Sequence, residues 1–146
     1  MPHITEIISL IALGFCALLG LGSLFFPKWA AGVVRLVADP DPEQPGGFSE
    51  FRATYGGLLL LLHLTAMIIL FQLGKMTEMS ETSVLLMKMF MLLPIAAGWI
   101  GAGLGRTMSL ILDSKENRSP GMIPVWIPME LALGIAIIAP VFQVMG

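Results

Sequence analysis

Four long apolar stretches dominate this sequence, and they constrain the fold more than any other feature. They cover residues 7–26, 56–73, 84–104 and 127–145. Each is close to the ~20 residues that a helix rising ~1.5 Å per residue needs to cross a hydrocarbon core of ~30 Å. We therefore expect the chain to fold in lipid, as an all-α integral membrane four-helix bundle.

The composition argues against a soluble alternative. Apolar residues make up 56% of the 146-residue chain, and charged residues make up only 12%. A soluble protein of this length has too little interior to bury four helices that are apolar on every face. The sequence therefore predicts a single domain, residues 1–146, with helices at about 4–26, 50–73, 83–108 and 127–145.

The first apolar stretch is expected to be a retained helix. Residues 1–6 contain no Lys or Arg, and the stretch is longer than the apolar region of an ordinary signal peptide. Cys16 follows the bulky Phe15, where a lipoprotein signal needs a small residue. Because Cys16 is the single cysteine, an internal disulfide is excluded.

The connections predict the orientation of the chain. The longest connection covers residues 27–49. Its residues 29–37 are typical of a short helix in the membrane interface, and its acidic, proline-rich residues 39–47 are typical of an exposed loop. Six basic residues lie in or beside this connection and the third one, residues 113–121: Lys28, Arg35, Arg52, Arg106, Lys115 and Arg118. The opposite side has only Lys75 and Lys88. The positive-inside rule then places both connections in the cytoplasm and both termini outside.

Small residues predict where helices approach each other. The expected packing positions are Gly56, Gly57, Gly98, Gly101 and Gly105. A further stripe repeats every four residues and consists of Ala12, Cys16 and Gly20. Such stripes let backbones approach closely in lipid, and packing within the bundle is favoured over a dimerisation face because four helices must first pack together. Pro94 is expected to kink the third helix.

Four polar residues are the candidate binding residues. Glu130 lies about one turn inside the fourth apolar stretch, Arg106 lies near the end of the third helix, and Arg52 and Tyr55 open the second. The predicted orientation brings all four toward one membrane face. Since an ion in the membrane normally finds a partner or a wet cavity, Glu130 is expected to pair with Arg52 or Arg106. Such a pair either belongs to a polar pocket that recognises a ligand headgroup or moves a proton, or it is a structural ion pair.

His63 lies deep in the second apolar stretch and is flanked by leucines. It is either a haem ligand or a hydrogen-bonded core histidine, and the second interpretation is favoured because His3, the other histidine, lies near the opposite membrane face. The methionines at positions 87, 89 and 91 are attributed to gap filling rather than to soft-metal binding. The sequence predicts no catalytic residue, no metal site and no cofactor.

The segment Phe51-Arg52-Ala53-Thr54-Tyr55-Gly56-Gly57 is the most distinctive local string. With its leucine-rich continuation, it resembles the small bacterial membrane proteins of the family called domain of unknown function 4345, which carry an Arg-Ala-x-Tyr-Gly-Gly motif at the start of the second helix. The resemblance implies a four-helix protein of the bacterial inner membrane, loosely similar to the DoxX-type proteins. It implies no activity and no cofactor.

Two classes of function are compatible with these features. The leading hypothesis is a non-enzymatic membrane protein, either an accessory subunit of a membrane complex or a binder of a lipid-like molecule. The alternative is a membrane-embedded enzyme that acts on a lipid or isoprenoid, with Glu130 as acid or base. Expected partners are membrane lipids, other membrane subunits or a second copy of the chain. Nucleic acid is excluded because the net charge is -2 and no basic run is present. A transporter is disfavoured because the sequence shows no inverted repeat.

Overall fold

The computed structural model describes residues 3–34, 48–76, 78–113 and 123–142, and all regular structure within them is helical. The elements are α1 (Ile4–Phe25), α2 (Pro27–Val34), α3 (Phe48–Phe51), a π-helical segment (Arg52–Leu58), α4 (Leu59–Leu73), α5 (Glu81–Leu112) and α6 (Ile123–Phe142). The predicted all-α class is confirmed.

Within the described residues, four helices are long and apolar enough to cross a membrane. They are Ile4–Phe25, Phe48–Leu73, Glu81–Leu112 and Ile123–Phe142, the second of which joins α3, the π-helical segment and α4. At most 39% of the apolar window of any of them is buried within the chain. Soluble proteins rarely expose apolar surface on this scale, so the chain is a multi-pass membrane protein by length and composition.

The chain divides into two compact units, each described by itself. The first comprises Met1–Ala12 and Leu70–Gly146, and the second comprises Leu13–Ile69. The first unit thus holds the start of α1 together with α5 and α6, whereas the second holds the rest of α1, α2 and most of the second span. A single domain over residues 1–146 stays a prediction.

Helix boundaries differ from the predicted ones where local capping decides them. α5 begins at Glu81, because the Ser80 hydroxyl accepts a hydrogen bond from the Ser83 N–H at 3.2 Å. The helix continues through Pro94 to Leu112, and the kink at Pro94 stays a prediction. α6 begins at Ile123, with a proline at its second position, where a missing N–H costs little.

The first connection is described only in part. A helix, α2, occupies Pro27–Val34, where the sequence predicts a short interfacial helix at residues 29–37. The predicted loop at residues 39–47 lies outside the described residues, as does the predicted loop at 113–121 beyond Asp113. The end of the fourth helix expected at residue 145 also lies outside them, since α6 is described to Phe142.

In the second unit, glycines bring α1 against the second span. A Cβ atom on Gly20 would collide with the backbone of Leu60, and one on Gly56 would lie 2.9 Å from the Cα of Leu24. The pairs 20–60 and 24–56 run in opposite directions, so the two segments cross antiparallel. Gly56 therefore lies at a close helix contact, as its place in the sequence predicts. In the stripe that ends at Gly20, Ala12 and Cys16 are also buried.

In the first unit, α5 and α6 pack antiparallel through a different pair of glycines. A Cβ atom on Gly103 would lie 3.0 Å from the Cγ of Leu131, and one on Gly134 would lie 2.9 Å from the Ala96 carbonyl oxygen. The start of α1 joins this pair, because the buried Ser9 hydroxyl donates to the Ile137 carbonyl of α6 at 2.7 Å. These contacts fix the register in which the polar residues of α5 and α6 meet.

The predicted glycine face of α5 is wrong. The positions Gly98, Gly101 and Gly105 are exposed, and an added Cβ atom at each would meet no described atom within 4 Å. The contact uses Gly103 instead, which lies about 200° around the helix from Gly101 and from Gly105 at ~100° per residue. Spacing shows which glycines share a face but not where that face points. At Gly57 a Cβ would meet only the Arg52 carbonyl of its own helix, so its predicted packing role is also wrong.

We expect Gly134→Ala to destabilise the protein more than Gly101→Ala. The new methyl group at position 134 overlaps Ile100 and the Ala96 carbonyl, and overpacking of this kind costs about 1–3 kcal/mol. At position 101 the methyl group enters open space, and alanine favours the helix by up to about 1 kcal/mol. Helical circular dichroism during denaturation in detergent measures both variants. Equal stability of the two would contradict the contact at Gly134.

Candidate functional site

One face of α5 carries two cations that each form an ion pair with a carboxylate among the described residues of the first unit. Lys88 and Arg106 are separated by 18 residues, which is about five turns and ~27 Å of helix. They therefore point in nearly the same direction, with the buried Leu92 and Gly103 close to that direction. Because ~27 Å is close to the thickness of the hydrocarbon core, we expect one cation near each membrane boundary.

Arg106 and Glu130 form an ion pair near the C-terminal end of α5. The Nε–H of Arg106 donates to Oε1 of Glu130 at 2.8 Å. The Glu130 side chain is 5% exposed, whereas the Arg106 side chain is 35% exposed. The sequence names Arg52 and Arg106 as candidate partners of Glu130, and the structure pairs it with Arg106. Both residues lie about 10 Å along their helices from the adjoining helix end.

The pair uses only part of its hydrogen-bonding capacity. An arginine and a carboxylate bind most strongly through two parallel hydrogen bonds, but here a single one is formed. The second carboxylate oxygen, Oε2 of Glu130, is buried and has no hydrogen-bond partner among the described residues. A buried unsatisfied polar atom costs about 1–3 kcal/mol, more when it is charged. Oε2 of Glu130 can therefore accept a hydrogen bond from a bound ligand.

Arg52 and Tyr55 lie in the second unit, where each has a local contact. A terminal nitrogen of Arg52 donates to the Leu24 carbonyl, one of the last carbonyls of α1 that has no helical partner. The Tyr55 ring stacks on Phe51, with centroids 4.7 Å apart and planes 19° apart. Arg52 therefore caps the end of α1.

The distinctive string folds as the π-helical segment Arg52–Leu58, which sequence patterns do not predict. Such segments are rare and frequently lie at functional sites. Here the segment turns Gly56 toward α1 while Arg52 and Tyr55 remain exposed. A joint binding role for Arg52, Tyr55, Arg106 and Glu130 stays a prediction.

The ion pair at the other end of α5 is absent from the sequence-based predictions. Nζ of Lys88 lies 2.5 Å from Oε1 of Glu6, and the two side chains are 11% and 9% exposed. Oε2 of Glu6 also accepts a hydrogen bond from the backbone N–H of His3 at 3.3 Å. Both oxygens of this carboxylate are therefore satisfied, in contrast to those of Glu130. One feature of the sequence could have indicated a buried partner for Lys88: it lies 18 residues before Arg106, on the same face of an apolar helix.

His63 is buried, and its Nδ1 lies 2.7 Å from the carbonyl oxygen of Leu59, one turn earlier in α4. This is the hydrogen-bonded core histidine that the sequence favours over a haem ligand. Within the described ranges 3–34, 48–76, 78–113 and 123–142, no three His, Cys, Asp or Glu side chains are grouped so that they could hold a metal ion.

No known protein family, curated protein or solved structure matches this chain. The resemblance to the family called domain of unknown function 4345 therefore stays a prediction. The Arg106–Glu130 pair is the candidate site, because it combines a deeply buried carboxylate, an acceptor atom without a partner among the described residues and a partly exposed cation.

Proposed function

We propose that this chain is a non-enzymatic lipid-binding protein of a bacterial inner membrane, and that it holds the headgroup of a lipid-like molecule at Arg106 and Glu130. The observation that carries the proposal is the buried Oε2 of Glu130, which lacks a hydrogen-bond partner among the described residues. The neighbouring Arg106 donates only its Nε–H to this carboxylate. A purely structural ion pair gains most when both oxygens are satisfied, as they are at Glu6.

The arginine supplies the affinity for the ligand. Its guanidinium has five N–H donors, of which the structure uses the Nε–H for Glu130, so the terminal nitrogens can bind a phosphate or carboxylate. The partial exposure of the Arg106 side chain leaves room for this contact. Its position about 10 Å from the end of α5 suits the level at which lipid headgroups meet the acyl chains.

The other hypotheses have less support from the described residues. An enzyme with Glu130 as acid or base needs a second reacting group near its carboxylate, and its one described partner is the arginine. An accessory subunit remains a prediction that the binding experiment also tests. Lipid binding requires only the groups that are present.

We expect wild-type protein, purified in mild detergent from its native membrane, to retain about one lipid-like molecule more than the Arg106→Met/Glu130→Gln double variant. The loss of a charged hydrogen bond weakens binding roughly ten- to a hundredfold. Quantitative mass spectrometry of extracted lipid, normalised to protein, measures the difference. Lys28→Gln is the matched control, since Lys28 is an exposed cation expected at the same membrane face.

Equal lipid content in wild type and the double variant would contradict the proposal. So would recovery of the wild type as part of a larger complex without bound lipid, which would favour the accessory-subunit hypothesis. A loss of lipid in Lys28→Gln as large as in the double variant would show that general surface charge, rather than this site, retains the lipid.

A further inference from the structure

We infer that the ligand of this site is a zwitterionic phospholipid that carries a primary ammonium group beside its phosphate, as phosphatidylethanolamine does. This inference rests on the proposed function and names the class of headgroup. It follows from the two unused groups of the Arg106–Glu130 pair, a buried acceptor and a set of partly exposed donors.

The acceptor selects for an N–H donor on the ligand. Oε2 of Glu130 is buried without a described partner, and a carboxylate oxygen in that position gains most from a cationic N–H. The ammonium of phosphatidylethanolamine has three such donors. The trimethylammonium of phosphatidylcholine has none, although the two headgroups carry the same charge. Quinones and other ligands with acceptors alone can satisfy Arg106 but not Glu130.

The electrostatic balance of the site selects for a ligand without net charge. Arg106 and Glu130 together are neutral, and Glu130 lies where little water is present to screen it. An anionic lipid would place an uncompensated negative charge next to this carboxylate, and unpaired charge is costly at low dielectric constant. A zwitterion instead adds its phosphate at Arg106 and its ammonium at Glu130, so that charges of opposite sign alternate across the site.

Binding of three phospholipids with identical acyl chains tests separately whether the ligand needs an N–H donor and whether it must lack a net charge. Delipidated wild-type protein is titrated in detergent with phosphatidylethanolamine, phosphatidylcholine or phosphatidylglycerol, and native mass spectrometry counts the bound molecules. Phosphatidylcholine removes the N–H donors at constant charge, and phosphatidylglycerol adds a net negative charge. We expect phosphatidylethanolamine to bind about tenfold more tightly than either.

Glu130→Gln tests which residue sets this preference. The variant keeps an acceptor for Arg106 but replaces the free carboxylate oxygen by an amide group that donates. We expect it to bind phosphatidylethanolamine and phosphatidylcholine within about threefold of one another, and to bind phosphatidylglycerol at least as tightly because the site then carries a net positive charge. The Arg106→Met/Glu130→Gln variant is expected to bind all three weakly. Soluble phosphoethanolamine, which lacks acyl chains, is expected not to displace the lipid.

Each contrary result identifies the part that is wrong. Equal binding of phosphatidylethanolamine and phosphatidylcholine, or of phosphatidylethanolamine and phosphatidylglycerol, overturns the inferred headgroup and leaves the lipid-binding function standing. A preference that persists in Glu130→Gln also overturns it. Displacement by soluble phosphoethanolamine makes the ligand a free metabolite, and weak binding of all three lipids to wild type overturns the proposed function as well.

Discussion

Lys88→Met is expected to lower the free energy of unfolding by about 3–5 kcal/mol, because it leaves the carboxylate of Glu6 buried without its cation. The side chains of Glu6 and Lys88 are 9% and 11% exposed, so neither can move to water without disrupting the helix contact. Glu6→Gln should therefore destabilise by a similar amount. The double variant should recover part of the loss, since no unpaired charge then remains.

Lys75→Met provides the matched control for this pair. Lys75 is expected at the same membrane side but is exposed, with its ammonium 4.1 Å from the centre of the Phe71 ring. A cation–π contact at an exposed site contributes about 0.5–1 kcal/mol, so this variant should remain close to wild type. Denaturation in detergent, followed by helical circular dichroism, measures the set. Strict additivity of the Glu6 and Lys88 variants would contradict the ion pair.

The second large effect is expected at Arg106 and Glu130, and it should be asymmetric. Arg106→Met strands the buried carboxylate of Glu130 with both oxygens unpaired, for a cost of about 3 kcal/mol. Glu130→Gln leaves Arg106, whose side chain is 35% exposed and can extend toward the headgroup layer, so the cost should be about 1 kcal/mol. The double variant should be more stable than Arg106→Met alone.

The destabilisation caused by each single variant of the two ion pairs tests how confined each charged side chain is. Both members of the Glu6–Lys88 pair are buried, whereas only one member of the Arg106–Glu130 pair is. Unfolding in the same detergent gives all four single-variant effects on one scale. Similar effects of Arg106→Met and Glu130→Gln would show that Arg106 is as confined as Glu130, which leaves no access for a headgroup.

The sequence predicts the four long helices well because apolar length alone determines them in lipid. It also predicts the buried stripe that ends at Gly20, since small residues at every fourth position leave little alternative to close packing. The partner of Glu130 is narrowed to two arginines by the same reasoning about buried charge.

The glycine face of α5 and the Glu6–Lys88 pair could not be predicted in the same way. The direction in which Gly101 points depends on the register of α5 against α6, which Gly103 and Gly134 set together. Glu6 and Lys88 are separated by 82 residues in the chain, and nothing local to either indicates the other. The π-helical segment at Arg52–Leu58 likewise depends on how the second span meets α1.

Cross-linking with a photoreactive phospholipid shows whether a lipid headgroup binds at the Arg106–Glu130 pair. A phosphatidylethanolamine with a diazirine on the acyl carbon next to the glycerol is incorporated into membranes that contain the protein, and the adducts are mapped by mass spectrometry. We predict adducts concentrated on the parts of α5 and α6 around Arg106 and Glu130, and their loss in the Arg106→Met/Glu130→Gln variant but not in Lys28→Gln. Adducts spread evenly over the four spans, and unchanged in the double variant, would contradict a headgroup site at this ion pair.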